Sequence, residues 1–238
     1  MCKIHLMHID DLNKNYEGID LRISYLTKGN NLQIDNKKIN AFGIKFCPFK
    51  RDIVNYRKSL INKKRYPNNF QSNKLLLSFG FFDEFCFSKK IIDIILNNSD
   101  FFIVLIISKE SESFFQIKDK FKINRRLEII NYTKKIVDIY KYTDLSFGSY
   151  GLMSLEKAFL GIPQFNVVEA ENQTFIKEIL EDNSMSKSLE IPHGIEEIIA
   201  KDNINSIFNS HTDLVQKSLN LFGDGIVEWL NIIDLFQN

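Results

Sequence analysis

Cysteine is scarce in this chain: only Cys2, Cys47 and Cys86 are present, and no two form a Cys-x-x-Cys pair. No basic-then-apolar leader opens the sequence either, so disulfides are not expected and a reducing cytoplasm is the simplest compartment. A surplus of one charge sign is also lacking, since 31 Lys and Arg oppose 30 Asp and Glu for a formal net charge of +1. The basic clusters Lys63-Lys64-Arg65, Lys89-Lys90 and Arg125-Arg126 are scattered among acids. They read as solvated faces, and no sustained basic stripe argues for nucleic acid. Long hydrophobic runs are missing too. The most apolar stretch, Phe101 to Ile107, is bounded by Asp100 and Lys109, far short of the roughly 20 residues a membrane-spanning helix needs. No internal repeat is visible, and the Asn and Lys abundance is diffuse. What remains is an ordinary globular composition, 238 residues with 44% hydrophobic and 26% charged side chains, enough for one large domain or two small ones.

The pattern changes character near residue 70. From Lys74 onward strands and helices alternate: strand 74–79, helix 88–97, strand 101–107, helix 111–121, strand 127–131, helix 133–142, and then a further strand-helix-strand-helix to about residue 181. All-apolar strands such as Leu75 to Leu77 and Phe101 to Ile107 suit parallel strands covered on both faces. The expected fold class is therefore α/β, a doubly wound, Rossmann-like parallel sheet over residues 71–238. Helices at 194–201, 203–210, 212–221 and 225–236 are expected to close it, with Gly223 and Gly225 separating the last two. Residues 1–70 are less regular. Their apolar pieces, Ile4 to Ile9, Leu21 to Leu26 and Ile39 to Phe46, predict at most three strands, followed by one helix over Arg51 to Asn62. That is too little for a second complete Rossmann-like domain, so this part reads as a domain remnant and junction.

The stretch from Asp144 to Gln173, DLSFGSYGLMSLEKAFLGIPQFNVVEAENQ, carries the clearest chemistry. Asp144 to Phe147 reads as a strand, Gly148 and Gly151 as turn residues, and Leu152, Leu155 and Phe159 as one face of a helix. Glycines at such a turn let backbone N–H groups approach an anion, and the helix N-terminus adds about half a positive charge. Glu156, about a turn into the helix, could accept hydrogen bonds from two vicinal hydroxyls, as on a ribose. A glycine turn without ligand and a solvated Glu156 are the alternatives on these residues alone.

Six segments in order resemble one family. They are Ile9-Asp10-Asp11-Leu12, Phe42 to Phe46 through Arg51, Leu75 to Gly80 (LLLSFG), Phe147 to Glu156 with Leu160-Gly161-Ile162-Pro163, Ala170-Glu171-Asn172-Gln173, and Gly223-Asp224-Gly225. Together they resemble the UDP-sugar hydrolases of pseudaminic acid biosynthesis, relatives of the glycosyltransferases with the two-domain B fold, in their C-terminal half and domain junction. The resemblance implies a UDP-sugar cleft in which the turn from Gly148 through Ser149, Tyr150 and Gly151 to Leu152 holds the diphosphate and Glu156 the ribose. It further implies Ile130, Asn131 and Tyr132 near the uracil edge, Asn172 and Gln173 at the sugar, and Gly80 on the opposite rim. No cofactor or metal is implied, and His5 with His8 makes too incomplete a ligand set for one.

Departures from the family pattern are equally specific. Tyr150 replaces a glycine, Leu152 and Met153 replace small hydroxyl residues, and Phe81 and Phe82 replace small or polar ones. Phe81 or Phe82 is expected to pack against the next helix. The family's catalytic histidine belongs to a Gly-x-Gly-His loop near the start of its N-terminal domain, and no such loop occurs here; His193 and His211 do not replace it. The chain is expected to begin after that region. Three readings follow: a UDP-sugar hydrolase lacking its N-terminal part, a glycosyltransferase-like enzyme of surface polysaccharide synthesis, or a non-catalytic interaction domain. Phe42, Phe46 and Phe49 at the junction are expected to form an exposed apolar seam, where a separate N-terminal-domain chain or a second copy would associate.

Overall fold

The structure, a computed structural model, describes residues 5–9, 16–35, 38–63, 73–131, 133, 135–189, 195–199 and 211–237. Residues 10–12 of the Ile9 to Leu12 segment, Tyr132, His193 and the helix expected at 203–210 lie outside the described residues. The chain forms two compact units, Met1–Asn55 with Ser218–Asn238, and Tyr56–Lys217. Residues from Ser218 onward thus group with the N-terminal segment, where the sequence pattern had assigned them to 71–238.

In the first unit, β1 (Met7–Ile9), β2 (Leu21–Ser24), β3 (Asn31–Asp35) and β4 (Lys38–Phe42) form a sheet ordered β1-β2-β4-β3. β1 and β4 flank β2 in parallel, and β3 pairs with β4 antiparallel. The expectation of at most three strands is therefore corrected to four. β3 escaped notice because all five of its residues are exposed; it has no buried face, and backbone pairing along an edge holds it. Gly43, at φ +106°, turns the chain into a short 3-10 helix, Ile44–Phe46, and a Cβ there would lie 1.7 Å from the Gly29 carbonyl oxygen.

The expected exposed seam at the junction is also corrected. Phe46 and Phe49 are buried and Phe42 is half-buried. The C-terminal helix Ile226–Gln237 supplies Trp229, whose indole N–H donates to the Phe46 carbonyl at 2.7 Å. Phe222 meets Phe49 edge-on at 5.5 Å between ring centres. Returning chain, invisible to a local reading, covers the phenylalanines.

The second unit is a six-stranded sheet of β5 (Lys74–Ser78), β6 (Phe102–Ile106), β7 (Leu127–Ile130), β8 (Leu145–Ser149), β9 (Gln164–Val167) and β10 (Lys187–Ser188). All pairings are parallel, in the order β10-β9-β8-β5-β6-β7. The chain winds outward from β5 to β7, then crosses back to β8 and winds the other way, as in the doubly wound dinucleotide-binding sheet. Leu75, Leu77, Ile103, Leu105, Leu145 and Phe147 expose no surface at all. Each such side chain contributes about 1.5–3 kcal/mol on burial. Amphipathic helices supply the cover. In α2 (Phe87–Asn98), Ile91, Ile92 and Ile95 face inward; in α5 (Leu152–Phe159), Leu155, Ala158 and Phe159 do. Helix α1 (Arg51–Lys63) precedes β5 in the chain, and helices α3 (Glu112–Lys120), α4 (Ile136–Tyr140) and α6 (Thr174–Asp182) complete the crossovers.

Helix α5 ends in a Schellman motif. The Gly161 N–H donates to the Ala158 carbonyl and the Ile162 N–H to the Lys157 carbonyl, each at 2.9 Å, which satisfies carbonyls the last turn leaves open. Gly161 takes φ +71°, and a Cβ there would meet Val215 Cγ2 at 2.6 Å. Gly161→Ala is therefore expected to cost about 1–3 kcal/mol. A melting temperature equal to that of the parent chain would refute this.

Candidate functional site

β8 and α5 meet at the carboxyl edge of the sheet. Gly148 belongs to β8, paired with Ser78 on one side and Asn166 on the other, which corrects its assignment to the turn. A Cβ at this position would stand 2.4 Å from the Ser78 carbonyl oxygen and 3.3 Å from Lys157 Nζ. Close approach of β5 and the buried lysine demands glycine here. The turn proper is Tyr150 and Gly151. Tyr150 extends the sheet by donating its N–H to the Val167 carbonyl at 2.9 Å. Its side chain is fully buried, and the phenol donates to Glu181 Oε1 at 2.9 Å while accepting from Ser186 at 3.3 Å. Burial, with the Glu181 carboxylate beside it, pushes the phenol up to about 12. The Tyr150 side chain is thus directed into the interior, leaving the helix mouth open.

A cavity of about 440 Å³ opens at that mouth. Its walls come from the ends of β5 (Ser78, Gly80, Phe81), β6 (Ile106 to Ser108) and β8 with α5 (Ser149 to Met153), and from Gln173. This is the point where strand order reverses, and crevices at such switch points are where open parallel sheets bind ligands. The N–H groups of Leu152 and Met153 have no carbonyl one turn earlier to receive them. The Gly151 N–H is held by the Ser154 hydroxyl at 3.1 Å. The Ser78 hydroxyl points to the Met153 sulfur at 3.2 Å. Phe81 and Phe82 are about half-exposed, at 50% and 47%. The expectation that one of them packs away against the next helix is corrected: Phe81 lines the cavity, and the two rings meet edge-on at 4.9 Å.

A smaller hollow of about 190 Å³ shares Gly80, Phe81 and Gln173 and adds Asp83, Glu84 and Glu169. Asp83 is buried at φ +48° and accepts the Phe87 N–H at 2.9 Å and the Ser88 N–H at 3.3 Å, which caps the start of α2. Glu169 accepts from the Ser149 hydroxyl, and its own N–H is held by Gln173 Oε1 at 2.8 Å. Burial raises the Glu169 carboxyl, and the Glu84 charge adds to the rise.

The site residues expected from the sequence fall into three groups. Gly80, Ser149, Tyr150, Gly151, Leu152 and Gln173 come together on the cavity wall. Gly148 and Glu156 lie in the flanking strand and helix, and Glu156 Oε2 accepts from the phenol of buried Tyr140 at 2.8 Å. Asn172 is exposed in the 3-10 turn Glu171–Gln173. Ile130 ends β7, and Asn131 lines a separate hollow of about 350 Å³ with Lys109 and Phe114. Sequence reasoning passed over Ser78, Ile106, Ile107, Ser108 and Glu169. The strand ends themselves were legible, and their side chains become neighbours only through the strand order.

Burial is the main cause that raises the Asp83 carboxyl from its ordinary 3.8 to about 6. Between those values the folded chain keeps a proton that the unfolded chain has lost, so stability present below pH 3.8 is lost as pH rises through about 6. Asp83→Asn retains the acceptor for the Phe87 and Ser88 amides, and its denaturant midpoint is expected to vary less between pH 4 and pH 6. Asp83→Ala is expected to lose about 1 kcal/mol of capping at any pH. Parallel midpoint-against-pH curves for the parent and Asp83→Asn would refute the assignment.

Compared by sequence, the chain matches no family model and no curated protein. Compared by structure, it resembles MurG of Acinetobacter baumannii with a TM-score of 0.65 at 11% identity, over 98% of this chain and 67% of that one. The glycotransferase of kitacinnamycin gives 0.58 at 12% identity, over 92% and 55%. Os79 from O. sativa, solved in complex with UDP, gives 0.54 at 14% identity, over 75% and 44%. The chain thus spans between 44% and 67% of the length of these three. At such low identity the likeness establishes the fold alone, an α/β architecture with a Rossmann-like parallel sheet.

Proposed function

We propose that the chain binds a UDP-sugar at the mouth of α5 and belongs to a glycosyl-transferring protein, in which an acceptor hydroxyl displaces UDP. The observation that carries this reading is the open cavity of about 440 Å³ at the switch point between β5 and β8, floored by a helix N-terminus. The diphosphate would take the N–H groups of Leu152 and Met153, with Gly151 allowing close approach. Those groups and the α5 dipole would stabilise the negative charge that grows on UDP as the bond to the sugar breaks. Glu156, steadied by Tyr140, would accept the ribose hydroxyls. Gln173 and Glu169 would face the sugar.

Hydrolysis is the second reading, with water in place of the acceptor. The Ala170 to Gln173 segment favours it, because this stretch resembles the UDP-sugar hydrolases and brings Gln173 to the cavity wall. Free sugar released from a UDP-sugar would support hydrolysis, and sugar carried intact on an acceptor would support transfer.

UDP at about 100 times its dissociation constant is expected to stabilise the chain by roughly 2.7 kcal/mol, with GDP at the same concentration doing much less. No thermal shift with UDP or any UDP-sugar would defeat the proposal and favour a ligand-free scaffold. Glu156→Ala is expected to weaken UDP binding by about 1.5–3 kcal/mol through lost charged hydrogen bonds. Unchanged affinity in that variant would remove the ribose role alone.

A further inference from the structure

The cavity proposed to hold a diphosphate has no lysine, arginine or histidine among the described residues on its wall. Its neighbouring hollow adds three carboxyl groups, Asp83, Glu84 and Glu169. A twice-charged anion seated there needs a positive charge from elsewhere. One is buried in α5 itself. Lys157 of α5 is 1% exposed, and its Nζ donates to Ser146 Oγ of β8 at 2.8 Å and to Asn166 Oδ1 of β9 at 3.4 Å. No carboxylate forms an ion pair with it among the described residues. Two acceptors leave the third N–H of an ammonium ion unmatched, an arrangement better suited to a neutral amine than to a permanent cation.

We propose that Lys157 is the counter-charge for the diphosphate: its buried amine takes a proton from solvent when the anion seats at the mouth of α5, and releases it when the anion leaves. The inference rests on the nucleotide reading above and extends it. Nζ stands 3.3 Å from the point where a Gly148 Cβ would be. Gly151 follows three residues later, so the amine lies within about 15 Å of the helix mouth even if the chain between is fully extended. Across a water-poor interior, charges at that spacing interact with far less screening than on the surface. Three titratable groups face this lysine. Glu156, its neighbour on α5, favours the protonated form. Tyr150, in the turn after β8, and Glu181, on α6, connect to it through Asn166 and Ser186. Burial outweighs the Glu156 attraction and holds the amine down to about 7, so an added negative charge nearby decides its state.

The test is a pH titration of the full chain labelled with 13C at lysine Cε, alone, with saturating uridine and with saturating UDP. One resonance, missing in Lys157→Met, is expected to titrate near neutrality in the free chain. UDP is expected to raise its midpoint by about one pH unit, and uridine, lacking phosphate, to leave it in place. By reciprocity UDP affinity should fall up to about tenfold as pH rises past the free-chain midpoint. Should Lys157→Met not fold, this affinity profile on the parent chain still decides the matter. A midpoint and an affinity that ignore each other, while UDP demonstrably binds, would overturn the role of Lys157 and spare the nucleotide reading. Absence of any UDP binding would overturn both.

Discussion

The close parallel pairing of β5 with β8 is the constraint on which the second unit depends. These strands are adjacent in space, although two strands and three helical crossovers separate them in the chain. They approach closely where the Ser78 carbonyl meets Gly148, at a separation no Cβ could share. On one side of that line the helices serve β6 and β7; on the other they serve β9 and β10. Helices diverging from a shared seam leave a crevice at its carboxyl end. The cavity with α5 at its floor is that crevice, so its existence follows from strand order rather than from any one wall residue.

Around β8 and β9 the interior holds a cluster of buried polar side chains. Ser146, Gln164, Asn166 and Ser186 are all buried, and Asn166 donates both to Gln164 at 3.0 Å and to Ser186 at 2.8 Å. Lys157 enters this network from α5, and Tyr150 enters it from the turn. Because buried polar groups are costly when unpaired and directional when paired, the network fixes the position of β9 and α5 more narrowly than apolar packing could. The turn between β8 and α5 is held from behind, by the buried hydrogen bonds of Tyr150 and Lys157. The cavity side carries backbone N–H groups, three serine residues, the Gln173 amide and apolar side chains, with no basic side chain among the described residues.

Much of this was legible in the chain. Leu75 to Leu77 and Phe101 to Ile107 announced parallel strands because both of their faces must be covered. Leu152, Leu155 and Phe159 announced a helix by their spacing, and the order of elements announced double winding. Other features were misread for identifiable reasons. Gly148 looked like a turn residue because glycine commonly marks turns, whereas its role is to admit a neighbouring strand. β3 was missed because its alternating Leu32 and Ile34 bury nothing. Phe46 and Phe49 looked uncovered because their partners, Trp229 and Phe222, lie more than 170 residues further along the chain.

The sequence by itself determined the α/β class, the alternation of elements from residue 74 onward and the glycine-bounded entry to α5. Hydrophobic periodicity and backbone freedom are local properties, and they survive in one dimension. Tertiary structure alone decided which strand ends share a cavity, that Tyr150 turns inward and that Lys157 is buried. Each of those outcomes depends on what the rest of the chain brings alongside, and a lysine or tyrosine in isolation carries no record of the neighbours that will exclude its water.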